Sequence, residues 1–334
     1  MKVLFCYRVQ PIVQEYYQRK LPEDFELIFP QKNDEQTLIS LITDVDAVVT
    51  AKVSEKELLA AKKLKHIQVP WTGSETLNFN LLKEYPHITV SNSHSNALAI
   101  AEHAVALLIA SAKRIIRSDR MMREGDWSSR YDEENSSYLS QKSLGILGLG
   151  SIGKIVAKMM KSAFEMKILA IKRFPERTDS ETLCDYIGGQ NKKDLEYVLK
   201  NSDYILISLP LTEETKDLIG EDELNLMKPT AILINIARGP IINEKALYKT
   251  LKHKKIAAAG LDAWYNYPKN KKTPINVFQN YPFRELDNVI LSPHRAFKVH
   301  QRADIVTAKD VIDNLVLISK GLKPKNQLNM DLGY

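Results

Sequence analysis

The chain has 334 residues, 44% hydrophobic and 26% charged, with 47 Lys and Arg against 41 Asp and Glu for a formal charge of +6. That is an ordinary globular composition, long enough for two domains with cores of their own, and it excludes a low-complexity or fibrous chain. The basic excess is interleaved with acids along the chain, which suits an anionic ligand and gives no nucleic-acid-binding stripe.

In the first hundred residues short strands alternate with short helices. Strands are predicted at 2–7, 25–29, 46–49, 66–70 and 88–90, and helices at 12–18, 34–42, 54–62 and 78–85. The alternation implies a parallel sheet covered on both faces. Nothing at the N-terminus, "MKVLFCYRVQ", has the form of a secretory leader, so a cytoplasmic protein is expected. The two cysteines, Cys6 and Cys184, lack C-x-x-C spacing and a nearby His cluster. Neither a disulfide framework nor a metal site is expected, and Cys6 reads as a small core residue.

"ALAIAEHAVALLIASA" (97–112) carries Glu102 and His103, so it reads as a buried helix rather than a membrane span. Its apolar spacing continues and predicts one long helix over 97–123, bridging two units. The polar stretch 123–138 reads as a surface connection, with Trp127 a packing residue. A second alternating series follows. Strands are predicted near 143–147, 167–171, 203–208, 231–235, 257–261 and 289–291, with helices near 151–164, 192–200, 220–227, 244–252 and 297–320. Six strands with crossovers is the count of a two-halved nucleotide fold. The expected class is α/β, with two Rossmann-like parallel-sheet domains. The nucleotide domain (98–297) is inserted into a discontinuous substrate domain (1–97 plus 298–334).

"LGILGLGSIGKIVAKMM" (144–160) sets Gly148, Gly150 and Gly153 between a strand and a helix. In that context Gly148 permits a tight turn, Gly150 lets a pyrophosphate approach the backbone, and Gly153 allows close helix–strand packing. The N–H groups of Ser151 and Ile152 then face phosphates at a positive helix end. About twenty residues on, an NAD site carries an acid for the ribose diol. Here "KILAIKRF" (167–174) has Lys172 and Arg173 instead. Two cations suit a 2′-phosphate and point to NADP(H), with NAD the alternative; a solvated pair at a strand end is the plainer reading. Three further strands end in polar residues: "ILINIARGPIINEKAL" (232–247) at Arg238, "AAAGLDAWYNYP" (257–268) at Asp262, and "NVILSPHRA" (288–296) at His294. An Arg on a loop is ordinarily solvated and a lone His ordinarily structural. Three polar residues just past three successive strands of one sheet lie where ligands bind in such sheets.

The order G-x-G-x-x-G, "SLPLTEET", "NIARG", "GLD" and "SPH" resembles the D-isomer-specific 2-hydroxyacid dehydrogenases, over nearly the whole chain. By that resemblance Arg238 binds the substrate carboxylate and carbonyl, His294 is the acid, and Asp262 meets the nicotinamide carboxamide. Leu209, Pro210, Thr215 and Ile236 border the cofactor. "TGSETLN" (72–78) resembles the family's substrate loop, with backbone N–H groups of Thr72, Gly73 and Ser74 on the carboxylate. The resemblance also implies an isologous homodimer, and the chain ends where some phosphoglycerate dehydrogenases continue into a regulatory domain.

One position departs from the family. Its usual Glu, just before a Pro and paired with the His, is Tyr267 here, followed by Pro268. A phenol hydrogen-bonds an imidazole N–H but brings no charge to hold an imidazolium. Glu285 or Asp287 are the carboxylates nearby in sequence. Trp71, Trp264, Tyr265 and His94 are candidates for the pocket wall, with packing as the competing role. The expected activity is hydride transfer between NADP(H) and a small 2-oxo acid such as glyoxylate or hydroxypyruvate. The alternatives are a phosphoglycerate dehydrogenase-like enzyme or a nucleotide-gated, corepressor-like binding protein.

Overall fold

The computed structural model describes residues 1–131, 136–176, 182–268, 279–298 and 303–334. The chain divides into two compact units, Met1–Asn96 with Val299–Tyr334, and Ala97–Lys298. Among the described residues no helix is long and apolar enough to cross a membrane.

The first unit is built on β1 (Lys2–Phe5), β2 (Glu26–Ile28), β3 (Ala47–Val49), β4 (His66–Gln68) and β5 (Thr89–Ser91), all parallel in the order β2-β1-β3-β4-β5. Alternate residues feed opposite faces. Leu4, Val48, Ile67 and Val90 join one core, under α2 (Glu35–Ile42) and α3 (Glu55–Ala60). Val3, Phe5, Ala47 and Val49 join the other, with Tyr17 of α1 (Pro11–Lys20) and with Val311 and Leu315 of the last helix, α11 (Ala303–Ser319). Both faces are covered, so the central β1 and β3 read as apolar runs, VLF and AVV. The helix starts are set locally. Asp34 caps α2, and Ser54 with Glu57 forms a reciprocal capping box on α3. The short α4 (Phe79–Leu82) follows β4.

The second unit opens with α5 (Ala97–Ala112) and α6 (Ile115–Arg123). Its sheet comprises β6 (Ser143–Leu147), β7 (Lys167–Ile171), β8 (Tyr186–Gly188), β9 (Tyr204–Ile207), β10 (Ile232–Asn235), β11 (Ala258–Leu261) and β12 (Val289–Leu291). All are parallel, in the order β12-β11-β10-β9-β6-β7-β8. The helices between them are α7 (Ser151–Phe164), α8 (Lys192–Asn201), α9 (Glu221–Leu226) and α10 (Glu244–Lys252). Ala101, Ala104, Leu107 and Leu108 of α5 pack on one face beside Val156 and Met160 of α7. The chain starts at β6 in mid-sheet, builds outward to β8, then returns to β9 and builds the other way. The β6/β9 junction is therefore the switch point at which such sheets bind ligands.

Four sequence expectations need correction. The single helix 97–123 is two helices, because Arg114 takes a left-handed backbone (φ 54°) and its N–H bonds the Ser111 carbonyl rather than continuing the α pattern. Burial changes at the break: α5 carries a buried face as far as Ala112, whereas every residue of α6 is at least partly exposed. The six-strand count becomes seven, since "YIG" (186–188) pairs with β7 as the edge strand β8. Three residues at an edge, one of them glycine, leave no periodicity to read. The last helix begins at Ala303 rather than 297; Phe297 and Lys298 are not helical, and 299–302 lie outside the described residues. Trp127, expected to pack, is 62% exposed.

Candidate active site

The glycine turn closes β6 onto α7 at the switch point. Gly148 has φ 105°, a conformation that suits glycine, and a side chain there would lie 2.7 Å from the Ser208 carbonyl oxygen. Ser208 Oγ donates to the Gly148 carbonyl at 2.8 Å, tying the turn to the end of β9. A Cβ on Gly153 would collide with the Gly148 carbonyl, so helix and turn are in close contact. Gly150 differs: a Cβ there meets nothing within 4 Å. It is also the N-cap of α7, with no side-chain cap and no acid in the first turn. Ser151 is exposed and Ile152 half-buried. A helix N-terminus with open space at Gly150 and no acid in its own first turn fits a pyrophosphate.

Lys172 and Arg173 follow β7 on the neighbouring strand. The Lys172 N–H donates to the Gly188 carbonyl at 3.0 Å, which holds the segment against β8. The Arg173 side chain, only 15% exposed, donates from Nε to Gln190 Oε1 at 2.8 Å and is ion-paired with Glu214, which is 65% exposed. Glu214 belongs to the loop after β9, which also carries Leu209, Pro210 and Thr215. Thr215 is 2% exposed and shapes that loop: its Oγ1 donates to the Pro210 carbonyl at 2.7 Å and accepts the Thr212 N–H at 2.8 Å.

Arg238, Asp262 and His294 follow β10, β11 and β12, three adjacent strands in register as Asn235↔Leu261 and Leu261↔Leu291. The Asn235 side chain folds the first of these loops, accepting the Ala237 N–H and donating to the Arg238 carbonyl, both at 3.0 Å. Ile236 is buried and Arg238 half-buried. Gly239 brings this loop onto the Trp264 backbone, leaving no room for a Cβ. Burial, with Glu244 and Asp217 near, pushes the Tyr265 phenol up.

Asp262 is 1% exposed, and its carboxylate is occupied. It accepts the Arg295 N–H on Oδ1 at 2.9 Å, the Ala296 N–H on Oδ2 at 3.0 Å, and the Ser292 hydroxyl on Oδ1. These donors flank His294, whose backbone is left-handed at φ 51°. Such a conformation in a non-glycine residue persists only when its surroundings hold it. The His294 ring is half-buried, with Nδ1 3.1 Å from the Asp262 carbonyl oxygen and 3.5 Å from the Tyr267 hydroxyl. The Tyr267 and Phe297 rings meet it edge-on, with centroids at 4.9 and 5.9 Å. The backbone carbonyl of Asp262 thus serves as the Nδ1 acceptor. Asp287 instead faces Arg117, at 3.8 Å.

In the first unit the loop bearing Thr72, Gly73 and Ser74 is tied to the segment after β5. Asn92 Nδ2 donates to the Thr72 carbonyl at 2.7 Å, and Thr72 Oγ1 lies 3.0 Å from the Ser93 carbonyl oxygen and 2.9 Å from Asn96 Oδ1. Ser74 Oγ donates to the Gly333 carbonyl at 3.1 Å. Trp71 stacks edge-on with Tyr7 and is 42% exposed. The His94 N–H donates to Asp310 at 2.8 Å, while burial lowers its imidazole below the usual range against the pull of Asp310.

Sequence reasoning missed three residues here. Glu214 gave no signal beyond its place in "SLPLTEET". Ser292 sits two residues before His294 and was read only as part of "SPH". His103 entered only as a polar break in an apolar run, yet its Nε2 lies 3.0 Å from Ser292 Oγ and 3.5 Å from Asp262 Oδ1.

Residues 105–296 match the family model described as D-isomer specific 2-hydroxyacid dehydrogenase, NAD binding domain. A glyoxylate reductase of Thermococcus litoralis is 34% identical, over 96% of this chain and 93% of the relative. A D-3-phosphoglycerate dehydrogenase of Archaeoglobus fulgidus is 33% identical over 99% of this chain, which spans only 59% of that relative's length. Among solved structures, an acyclic imino acid reductase in complex with NADPH and D-Arg superposes with a TM-score of 0.78 at 28% identity, covering 98% of this chain and 100% of that one.

Proposed function

The chain belongs to the D-isomer specific 2-hydroxyacid dehydrogenase family, and on that premise we propose that it reduces a small 2-oxo acid, glyoxylate or hydroxypyruvate, with NADPH. The observation that carries the reading is the His294 ring, held by the Asp262 carbonyl at the end of β12, two strands from Arg238 at the end of β10.

The chemistry the cofactor supplies when bound is hydride transfer. The turn Gly148–Gly153, with the N–H groups of Ser151 and Ile152, holds its pyrophosphate at the start of α7. Lys172 and Arg173 receive the 2′-phosphate, for which Glu214 must give way. Leu209, Pro210, Thr215, Ile236 and Asp262 border the rest. The backbone N–H groups of Thr72, Gly73 and Ser74 bind the substrate carboxylate. Arg238 stabilises the negative charge that grows on the carbonyl oxygen. With His294 Nδ1–H donating to the Asp262 carbonyl, Nε2 is the nitrogen left for substrate. It hydrogen-bonds the oxygen and gives up its proton as that oxygen becomes an alkoxide. Tyr267 packs against the ring and supplies no charge.

Turnover of glyoxylate, hydroxypyruvate and phosphohydroxypyruvate, each with NADPH and with NADH, tests the reading. NADPH with one of the first two should give the highest kcat/KM. Preference for the phosphorylated acid would make the chain phosphoglycerate dehydrogenase-like. Turnover of none would favour a nucleotide-gated binding protein.

The same reading makes the protein a cytoplasmic homodimer. Supporting this, Ile115, Ile116 and Met122 of α6 are 50%, 51% and 44% exposed. Sedimentation at micromolar concentration should give twice the 38.0 kDa chain mass; a 38.0 kDa species alone would refute it.

A further inference from the structure

We propose that His103 is a positioning residue for the reaction: through Ser292 and Asp262 it holds the turn that presents His294. The inference rests on His294 being the acid. A donor count fixes the direction of the chain. Ser292 has one hydroxyl proton, and it goes to Asp262 Oδ1, where two backbone N–H groups also converge on the carboxylate. The Ser292 oxygen is then an acceptor for His103 Nε2 at 3.0 Å, so His103 carries its proton on Nε2. Its second approach, 3.5 Å from Asp262 Oδ1, puts the same N–H beside the carboxylate.

Each further link leads to the His294 turn. Arg295 and Ala296, the two residues after His294, donate their N–H groups to Asp262, and Trp264 Nε1 donates to the Ser292 carbonyl at 2.8 Å. At φ 51° the His294 backbone depends on these anchors. Packing does not account for an imidazole at this position. Apart from Ser111, the buried residues of α5 are apolar, among them Ala101, Ala104, Leu107 and Leu108, whereas the His103 side chain is 26% exposed. The Nε2 of this side chain is directed at the catalytic turn. Reactions of this kind lose rate when the acid is displaced by fractions of an ångström, while substrate binding is spared.

The test uses the NADPH-bound enzyme with glyoxylate. His103→Phe keeps the bulk and removes the donor. It should lower kcat about tenfold, the upper end for one hydrogen bond between neutral groups, with KM and NADPH affinity within about twofold. His103→Gln returns an Nε2 donor and should restore most of kcat. Ser292→Ala should match the Phe variant, and the double variant should be no slower than Ser292→Ala alone, because the two act in one chain. If the Phe variant fails to fold by circular dichroism, His103→Asn, too short to reach, replaces it with the same expected loss. Undiminished kcat in the donor-less variant, no rescue by Gln, or additive losses would each overturn the inference. His294→Ala run alongside separates the two readings. If it retains turnover, the assignment of the acid has failed; if it is dead while His103→Phe is fully active, only the role of His103 has.

Discussion

Each unit contains a polar network centred on a histidine, and the two are built for opposite ends. In the first unit His66 Nδ1 lies 2.9 Å from Thr89 Oγ1 and Nε2 lies 3.1 Å from Ser91 Oγ. Ser91 Oγ donates to Gln68 Oε1 at 2.7 Å, and Asn314 Nδ2 donates to the same oxygen at 2.9 Å. The Lys325 N–H closes the set on Asn314 Oδ1 at 2.7 Å. His66, Gln68, Ser91 and Asn314 are all 0% exposed, and among the described residues their hydrogen-bond partners include no carboxylate. This network is neutral and closed, and it joins β4 and β5 to α11 and the C-terminal segment. The network of the second unit contains a carboxylate, runs from a partly exposed His103, and ends on a half-buried His294 in a left-handed backbone. A closed, fully satisfied network specifies packing. One that ends on a strained, reachable group holds that group ready for chemistry.

The comparison breaks most visibly if the open network is dispensable. His294→Ala should cost about 10²–10⁴ in kcat with the melting temperature little changed, read by NADPH oxidation and calorimetry together. Near-wild-type turnover would remove the contrast altogether.

The closed network makes its prediction in stability. Burial lowers the His66 imidazole from 6.5 to about 4, so below 6.5 the unfolded chain takes up a proton that the folded chain refuses. Stability is therefore complete above pH 6.5 and falls until about pH 4, by roughly 3 kcal/mol in all. Denaturant unfolding followed against pH checks the slope, and His66→Gln should flatten it. A variant slope equal to wild type would mean that other groups carry the loss.

At the cofactor end the effects are smaller. Arg173→Ala should weaken NADPH about tenfold or more and leave NADH nearly unchanged. Glu214→Gln, which removes the carboxylate charge competing with a phosphate for Arg173, should tighten NADPH a few-fold. Fluorescence titration with both cofactors reads this, and equal changes for both would sink the 2′-phosphate assignment.

The smallest effect belongs to Tyr267. Its hydroxyl lies 3.5 Å from His294 Nδ1, farther than the Asp262 carbonyl at 3.1 Å. Tyr267→Glu sets a carboxylate beside the ring and favours imidazolium, the form that reduction consumes. The falling limb of the reductive rate should move to higher pH by about one unit or less. An unmoved profile would leave the backbone carbonyl as the partner that matters.

Much of the fold was readable in the chain because its signals are local. Apolar runs between turn residues marked β6, β7 and β12 to the residue, and helical spacing did the same for α7 and α10. Arg238, Asp262 and His294 follow their strands directly, so strand ends and candidate side chains came into view together. What remained depended on groups distant in sequence. The Nδ1 acceptor of His294 is a backbone carbonyl 32 residues away, where the sequence offered only the Tyr267 phenol and the Glu285 and Asp287 carboxylates. The partner of Arg173 is 41 residues on, and His103 meets Ser292 across 189. The break at Arg114 coincides with the end of burial along the helix, and β8 is defined only by its pairing with β7. Periodicity reports which face of an element is apolar, whereas a hydrogen-bond partner is chosen by whichever donor or acceptor the packed elements bring within about 3 Å, and only the tertiary structure makes that choice.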